Sequence, residues 1–431
     1  MRERAQGILV PMAAPSRRDF VRLVGAGAAG LAIGCGDNLT TGAAASAILE
    51  PTSDALIVAV WARDAGTATV EVRGGGGVMT AAIALGSSGS GAIDLVGLEP
   101  ATTYELTIVT SSGVRLGPHL ARTAPGEDDP RAVRIAVVAD VDANPEFDSE
   151  LVTHVVNADP DLIVSLGDFP YTDNGPVAQT LAAYRDRHAE IRTLPRIRTL
   201  LESASLRAIY DDHEFRNNWD AAFAATEASR FDAAMTVWDE FFPVRDAVSD
   251  VRYRRWRWGA NVECFLLDCR RFRDANAAPD DARKTMLGAT QRHWFLEGIA
   301  ASTAPFKLVF TSVPLGYGTG DDHWTTFATE RDAILDALVG IRGIVFVTAD
   351  QHFFAAHRHA HGIREFQVGP LARGIGTPGP MAPGVVFRSE RYNAGLLEFD
   401  AEHLVVTGIG PDGERFYSET LTADELTPRR S

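Results

Sequence analysis

The chain has 431 residues, 45% hydrophobic and 23% charged, enough for two or three domains around a sizeable core. A formal net charge of -16 excludes a basic face of the kind that holds polyphosphate, so no nucleic-acid-binding surface is expected. Lys284 and Lys307 are the only lysines, and the preponderance of Arg is read as composition bias.

Residues 1–35 read as an export segment. Ser16-Arg17-Arg18-Asp19-Phe20 precedes an apolar Ala/Gly-rich run from Val21 to Ile33, the pattern of a twin-arginine signal. The run is shorter than the roughly 20 apolar residues of a membrane span. Ala32-Ile33-Gly34-Cys35 resembles a lipoprotein processing site, with Cys35 as the lipidated residue and Ala32 where Leu is usual. The rival reading is cleavage after Ala45 or Ala47, releasing a soluble protein. Residues 36–47 are expected to be a flexible tether. The protein is then periplasmic or at the cell surface, and the anchor is its contact with membrane. Cys264 and Cys269, five residues apart, would lie about 16 Å from each other on a strand, beyond the ~7 Å that a disulfide spans. They are expected to be buried thiols.

Residues 48–123 read as a small all-β domain, with runs at Ala55–Ala62, Thr67–Arg73, Val78–Ala84 and Thr103–Thr110. Gly74 to Gly77 reads as a hairpin turn and not a phosphate cradle, since neither Lys-Ser/Thr nor a helix pattern follows. The stretch from Gly97-Leu98 to Tyr104 resembles the corner of fibronectin type III sandwiches, where a Leu and a Tyr pack across two sheets. Residues 124–132 are a polar, Pro-bearing linker. From Val133 strands and helices alternate, the grammar of an α/β layer, and residues 133–422 read as one domain. Strands are predicted at Val133–Ala139, Leu162–Leu166, Leu206–Tyr210, Val262–Leu267, Lys307–Thr311 and Gly343–Thr348. Helices are predicted at Asp148–Ala158, Thr180–His188, Arg230–Phe242, Ala289–Ala300 and Thr329–Leu338. A β-meander at Gly395–Phe399, Leu404–Gly408 and Arg415–Glu419 closes the domain, and residues 423–431 are expected to be a disordered tail.

Acidic residues follow these apolar runs at once: Asp140, Asp168, Asp212 and Asp350. Strand ends in α/β folds converge on a crevice where loops place their side chains. One such Asp is often only a turn or helix cap, but four of them accompanied by Tyr171, His213 and His352 point to metal ligation. In Gly167-Asp168-Phe169-Pro170-Tyr171, Gly permits a sharp turn, the carboxylate offers two oxygens to bridge cations, and a tyrosinate suits Fe(III). His213, beside Asp212, is placed to meet a phosphate or protonate a leaving oxygen. Asp350 and His352, at i and i+2, share a side of extended chain. Asp142 is an extra candidate ligand. Asn217 and Asn218 read either as helix caps or as supports of the site. His357, His359 and His361 resemble a metal-binding tract but are read as a solvated loop.

The stretches GDFPY, DDHEFRNNW, FLLDCRRFRD (Phe265–Asp274), TMLGATQRHWF (Thr285–Phe295) and ADQH are similar to those of the alkaline phosphatase D / phosphodiesterase family, within the calcineurin-like metallophosphoesterases. The resemblance runs from about Ala55 to Glu419. It implies an α/β fold, a sandwich of two mixed sheets flanked by helices, preceded by the small fibronectin III-like β-sandwich. It also implies two metal ions, one held by Asp140, Asp168, Tyr171 and His352, the other by the shared Asp168 with Asp212 and Asp350. His213 would be the catalytic residue at the phosphate, and Asp268 and Arg270 would support the ligands through hydrogen bonds. Asp140 stands where the family often has Cys, and Asp212 and Asp350 where the wider superfamily has histidines. That carboxylate-rich set suits Ca²⁺, Mn²⁺ or Mg²⁺, with Fe(III) at Tyr171 and Zn²⁺ as a further candidate. The expected activity is hydrolysis of phosphate monoesters or diesters by a metal-activated hydroxide. Two alternatives are phospholipid or nucleotide cleavage at the same centre, and a non-catalytic surface lipoprotein on a degenerate scaffold.

Overall fold

The computed structural model describes residues 10–11, 43–245 and 251–430. The twin-arginine motif, Cys35 and residues 36–42 lie outside the described residues. Among those described, no helix is long and apolar enough to cross a membrane.

Most of the first strands alternate exposed and buried residues, as sheets with one covered face do, but the first two are buried throughout. They are β1 (Ala44–Leu49), β2 (Ala55–Ala62), β3 (Thr67–Gly74), β4 (Gly77–Ala84), β5 (Ser90–Val96), β6 (Thr103–Thr110) and β7 (Arg115–Arg122). β4, β3, β6 and β7 pair in that order, with the two-residue strand Val10–Pro11 on the β4 edge. This sheet faces β1, β2 and β5 across a core that includes Val58, Val70, Leu98, Tyr104 and Leu106. The Gly74–Gly77 turn closes the β3–β4 hairpin, and the Tyr104 hydroxyl accepts the Glu99 N–H at 2.8 Å.

Two boundaries differ from the sequence reading. Residues 44–47, assigned to the tether, belong to a buried strand whose small alanines fit against β2. Leu49 then pairs in parallel with Leu206, so β1, β2 and β5 continue the large sheet of the following domain. The join is reinforced by charge: Glu50, almost fully buried, accepts from Arg207 at 2.7 Å and from Arg254 at 2.5 Å.

His119 of β7 is also part of this join. Its Nδ1 donates to the Leu201 carbonyl (3.2 Å), which leaves Nε2 to accept from Ser46 of β1 (2.8 Å). Burial lowers its pKa to about 4. The unfolded chain, with an ordinary imidazole near 6.5, therefore takes up the proton first as pH falls. This contribution to stability is complete above about pH 6.5 and declines towards pH 4, by on the order of 3 kcal/mol. Urea midpoints across that window should fall less steeply in His119→Gln than in wild type; identical slopes would show that the ring titrates freely.

Beyond the linker come β8 (Val133–Val138), α1 (Leu151–Asn157), β9 (Leu162–Ser165), α2 (Leu181–Thr193), α3 (Pro195–Ser203), β10 (Leu206–Ala208), α4 (Ala228–Phe241), β11 (Arg254–Trp258) and β12 (Val262–Leu266). Then follow α5 (Gly288–Ala301), β13 (Phe306–Phe310), α6 (Ala328–Ala337), β14 (Ile344–Thr348), β15 (Phe354–Arg358), β16 (Arg364–Gln367), β17 (Val385–Ser389), β18 (Ala394–Phe399), β19 (His403–Ile409) and β20 (Arg415–Thr422). One sheet runs β20-β19-β18-β8-β9-β10-β1-β2-β5, the other β11-β12-β13-β14-β16-β15-β17. Central strands of both are parallel and buried on both faces, hence their unbroken apolar runs. The sheets meet through Val137, Val164, Leu266, Phe310 and Val347. Helices α1 to α4 cover the outer face of the first sheet and α5 and α6 that of the second.

Helix α5 carries the Leu-Gly-x-x-Gln-x-x-Trp stretch. Gln291 is buried, and its amide exchanges two 2.8 Å bonds with the backbone of Asp268, holding the turn after β12. The tail differs from expectation. Ala423 and Leu426 are buried in the inter-sheet core, and the Leu426 carbonyl accepts the Ile344 N–H at 3.0 Å, so residues 423–429 are packed rather than disordered. Cys264 and Cys269 are buried free thiols, and burial pushes Cys269 up to about 12.

Candidate metal centre

β8, β9, β10 and β14 end at one edge of the sandwich, and the acidic residues Asp140, Asp168, Asp212 and Asp350 follow them. Asp140, Asp168, Asp350 and His352 have positive φ (58°, 56°, 77° and 59°), a region Asp and His reach more readily than other side chains. Glycines make the room: a Cβ at Gly167 would stand 2.4 Å from the Asp211 nitrogen, and one at Gly369 2.1 Å from Asp140 Oδ2. Such clustered backbone strain survives where the surroundings over-determine it, typically at functional sites.

The structure brings the strand-end residues together. Donor atoms of Asp140, Asp168 and His352 lie within 4.8 Å of one another, and so do those of Asp168, Asp212 and His213, and of Asp211, Asp212 and Asp350. Asp168 is common to the first two groups. Tyr171 joins the first group, its hydroxyl 2.8 Å from His352 Nε2. His352 is oriented from behind: Nδ1 donates to the Gly374 carbonyl at 2.8 Å, which leaves Nε2 as the coordinating nitrogen. Burial, with Arg373 near by, lowers the His352 pKa to about 4, so the ring is neutral.

Charge makes this cluster unstable by itself. Burial raises the carboxyls of Asp140, Asp168 and Asp350 well above the usual range, and Asp211 and Asp212 push the same way. Burial raises the Tyr171 phenol too, followed by Asp168 and Asp140. Oδ2 of Asp140, Oδ2 of Asp168 and Oδ1 of Asp212 are buried without a hydrogen-bond partner. Unpartnered oxygens converging in a buried cleft are the donor set a pair of hard cations requires, and cation charge would bring these groups back to their ionised forms. The residues present therefore fit a dinuclear site.

The His213 ring packs at a tilt of 33° on that of Tyr171, centroids 4.2 Å apart, and its Nδ1 bonds Asp173 at 2.6 Å. Burial opposes its charge, but Asp212 and Asp173 outweigh burial and push the imidazole up to about 9. The Asn218 N–H donates to Asp212 at 2.6 Å, and its amide nitrogen, in the orientation that satisfies its neighbours, reaches Asp322 and Asp212. Asn217 contributes its backbone N–H to Asp173 at 2.8 Å. Asp268 accepts from Tyr210 (2.5 Å) and from the Arg270 N–H (2.9 Å). That fixes Arg270, which grips Asp211 with two bonds of 2.6 and 2.7 Å, pairs with Asp322 at 2.7 Å and stands 3.6 Å from Asp212.

Asp173, Asp211, Glu214, Asp322 and Arg373 were not singled out in the sequence. Glu214 accepts the Phe169 and Asp211 N–H groups, tying the loops after β9 and β10 together. Arg373 lies 4.6 Å over the Tyr171 ring and pairs with Asp142 at 3.5 Å. Asp142 is thereby engaged with Arg373 and with Asn174 (2.5 Å) and is in none of the metal-capable groups. The doubled acid in Asp211-Asp212 was a usable signal; nothing local marks Asp322 or Arg373. The solvated-loop reading of His357 and His359 is overturned: both face Glu365, which strand pairing brings to them from across a hairpin.

A family model described as PhoD-like phosphatase matches residues 146–384. Asp140 lies just ahead of that stretch. The chain is 24% identical over 246 residues to alkaline phosphatase D of Bacillus subtilis (strain 168), a match covering 46% of this chain and 42% of the relative. The chain thus aligns with less than half the length of that relative. Among solved structures, that of PhoD superposes with a TM-score of 0.77 at 17% identity, covering 91% of this chain and 92% of the other. The purple acid phosphatase PPD1 from yellow lupin (Lupinus luteus) seeds gives 0.67 at 14% identity, covering 89% and 76%. At these identities the structures speak for the fold.

Proposed function

The chain belongs to the PhoD-like phosphatase family, and on that premise we propose that it is an exported, metal-dependent phosphoesterase acting on phosphate monoesters or diesters at a dinuclear centre. The observation that carries this reading is the overlap of three metal-capable groups at converging strand ends, Asp168 linking the group of Asp140 and His352 to Asp212, and Asp212 linking on to Asp350. Asp140, Asp168, Tyr171 and His352 would hold one ion, and Asp168, Asp212 and Asp350 the other. Bound cations would supply Lewis acidity at the phosphoryl oxygens and lower the pKa of a water.

The chain's own residues do the positioning. Asp173 holds His213 by Nδ1, so Nε2 is the nitrogen offered to a phosphoryl or leaving oxygen. Asp173 favours the protonated ring independently of the metal-capable acids, and a protonated His213 can both counter negative charge and give a proton to the leaving group. Arg270 engages both oxygens of Asp211 and stands beside Asp212, offsetting the negative charge of the paired acids. The phenol of Tyr171 favours Fe(III), and the carboxylates of Asp212 and Asp350 favour Ca²⁺. Export through the twin-arginine segment, anchoring at Cys35 and a fibronectin III-like role for the β-sandwich complete the proposal.

Elemental analysis of natively exported protein, run beside assays on p-nitrophenyl phosphate and bis-p-nitrophenyl phosphate, tests it. Bound metal with turnover of either ester is expected. Folded protein with neither would instead favour a surface binding protein. If iron is present, Tyr171→Phe should abolish a visible charge-transfer band while far-UV circular dichroism is unchanged. An unaltered band would remove Tyr171 from the coordination sphere.

A further inference from the structure

We infer that His357, His359 and Glu365 form a further metal site, structural in role, for a zinc-class divalent cation. The site follows from strand geometry. His357 and His359 stand at i and i+2 on extended chain, so they share a face. The antiparallel register of β15 and β16 sets His357 directly opposite Glu365. The three donors lie within 4.8 Å of one another. Two imidazole nitrogens and a carboxylate oxygen are a donor set that suits zinc.

Three observations favour an ion over a simple hydrogen-bonded trio. Glu365 is fully buried and already oriented: Oε1 accepts the Leu315 N–H (2.9 Å) and the Thr348 hydroxyl (2.7 Å), leaving Oε2 turned to His359 Nε2 at 2.6 Å. Outer bonds of this kind hold metal ligands in place. His357, 2% exposed, has a buried Nε2 that makes no well-formed hydrogen bond, its contact with the Gln367 amide being too loose to count as one. Gln367, two residues along from Glu365 and beside His357, is fully buried, and both atoms of its amide lack a well-formed hydrogen bond. The walls are shaped to match: the Tyr317 ring lies 5.4 Å from that of His357, and a Cβ at Gly316 would stand 2.8 Å from His359 Cε1. Thr348 is two residues before Asp350, so an ion here would brace the turn that carries Asp350 and His352.

The test compares full-length protein equilibrated with Zn²⁺ and then dialysed. Asp168→Asn removes the shared carboxylate of the strand-end centre, and Asp168→Asn/Glu365→Gln differs from it only at the new site. One equivalent of zinc less in the double variant is expected, together with a melting temperature that rises with zinc in Asp168→Asn and not in the double variant. His359→Gln in the same background should lose the same equivalent. Equal zinc content across the three overturns the inference. Should the double variant not fold, Co²⁺ in Asp168→Asn decides. Intense visible bands of low-coordinate, nitrogen-ligated Co²⁺ are expected, and a weak octahedral spectrum alone would leave only a hydrogen-bonded His–Glu pair.

Discussion

Asp168→Asn is expected to reduce turnover of either nitrophenyl ester by roughly 10³-fold or more, beyond the 10²–10³ that loss of one electrostatic donor costs. The substitution changes charge and little else. Asp168 has a φ of 56°, which Asn also adopts, and an amide oxygen can still accept the His213 N–H that Asp168 now accepts at 3.1 Å. What is lost is the negative charge shared by two metal-capable groups. The same change relieves repulsion among buried acids, since burial and Asp212 already drive this carboxyl well above its usual range. Metal-stripped variant should therefore melt no lower than metal-stripped wild type, while metal content falls. Turnover within tenfold of wild type would show that Asp168 is not a ligand.

Arg270→Met is expected to cost about 3–5 kcal/mol of stability, the penalty for stripping one partner from a buried ion network. Arg270 is fully buried and gives two bonds to Asp211 and one to Asp322. Without it Asp211 loses its two charged bonds while still beside Asp212, and Asp322 keeps Arg273 as its paired cation. Adding Asp211→Asn should recover part of the loss, so the double variant should cost clearly less than the sum of the singles. Urea denaturation of the metal-free proteins reads this out. A cost below about 1 kcal/mol would mean that water enters the network and screens it as at a surface.

The strand-end acids were legible because they are local: a run buried on both faces announces itself as unbroken apolar residues, and the next residue falls where the sheet stops. The same logic placed β8, β9, β12, β13 and β14 and four of the larger helices to within a few residues. Elements without that signal were missed. Helix α3 begins at a proline immediately after α2, and β15 to β17 carry polar and aromatic residues in no simple period. Ala44–Ala47 resembled a tether because small residues look alike in a linker and in a tightly packed strand.

By itself the sequence determined the layered α/β class, the hairpin at Gly74–Gly77 and the candidate ligands Asp140, Asp168, Tyr171, Asp212, Asp350 and His352, since each depends on neighbours a few residues away. What those candidate residues lean on follows from the packed fold and not from their neighbours in sequence. Asp173 reaches His213 across 40 residues, Arg270 reaches Asp211 across 59, and Asp322 reaches Arg270 and Arg273 from a loop after β13. Strand register alone turned three histidines read as solvated into two that face a buried Glu365 and one, His361, paired with Asp336. The reason is physical: burial and electrostatic compensation are properties of the packed volume around a side chain, and residues distant in sequence supply most of that volume.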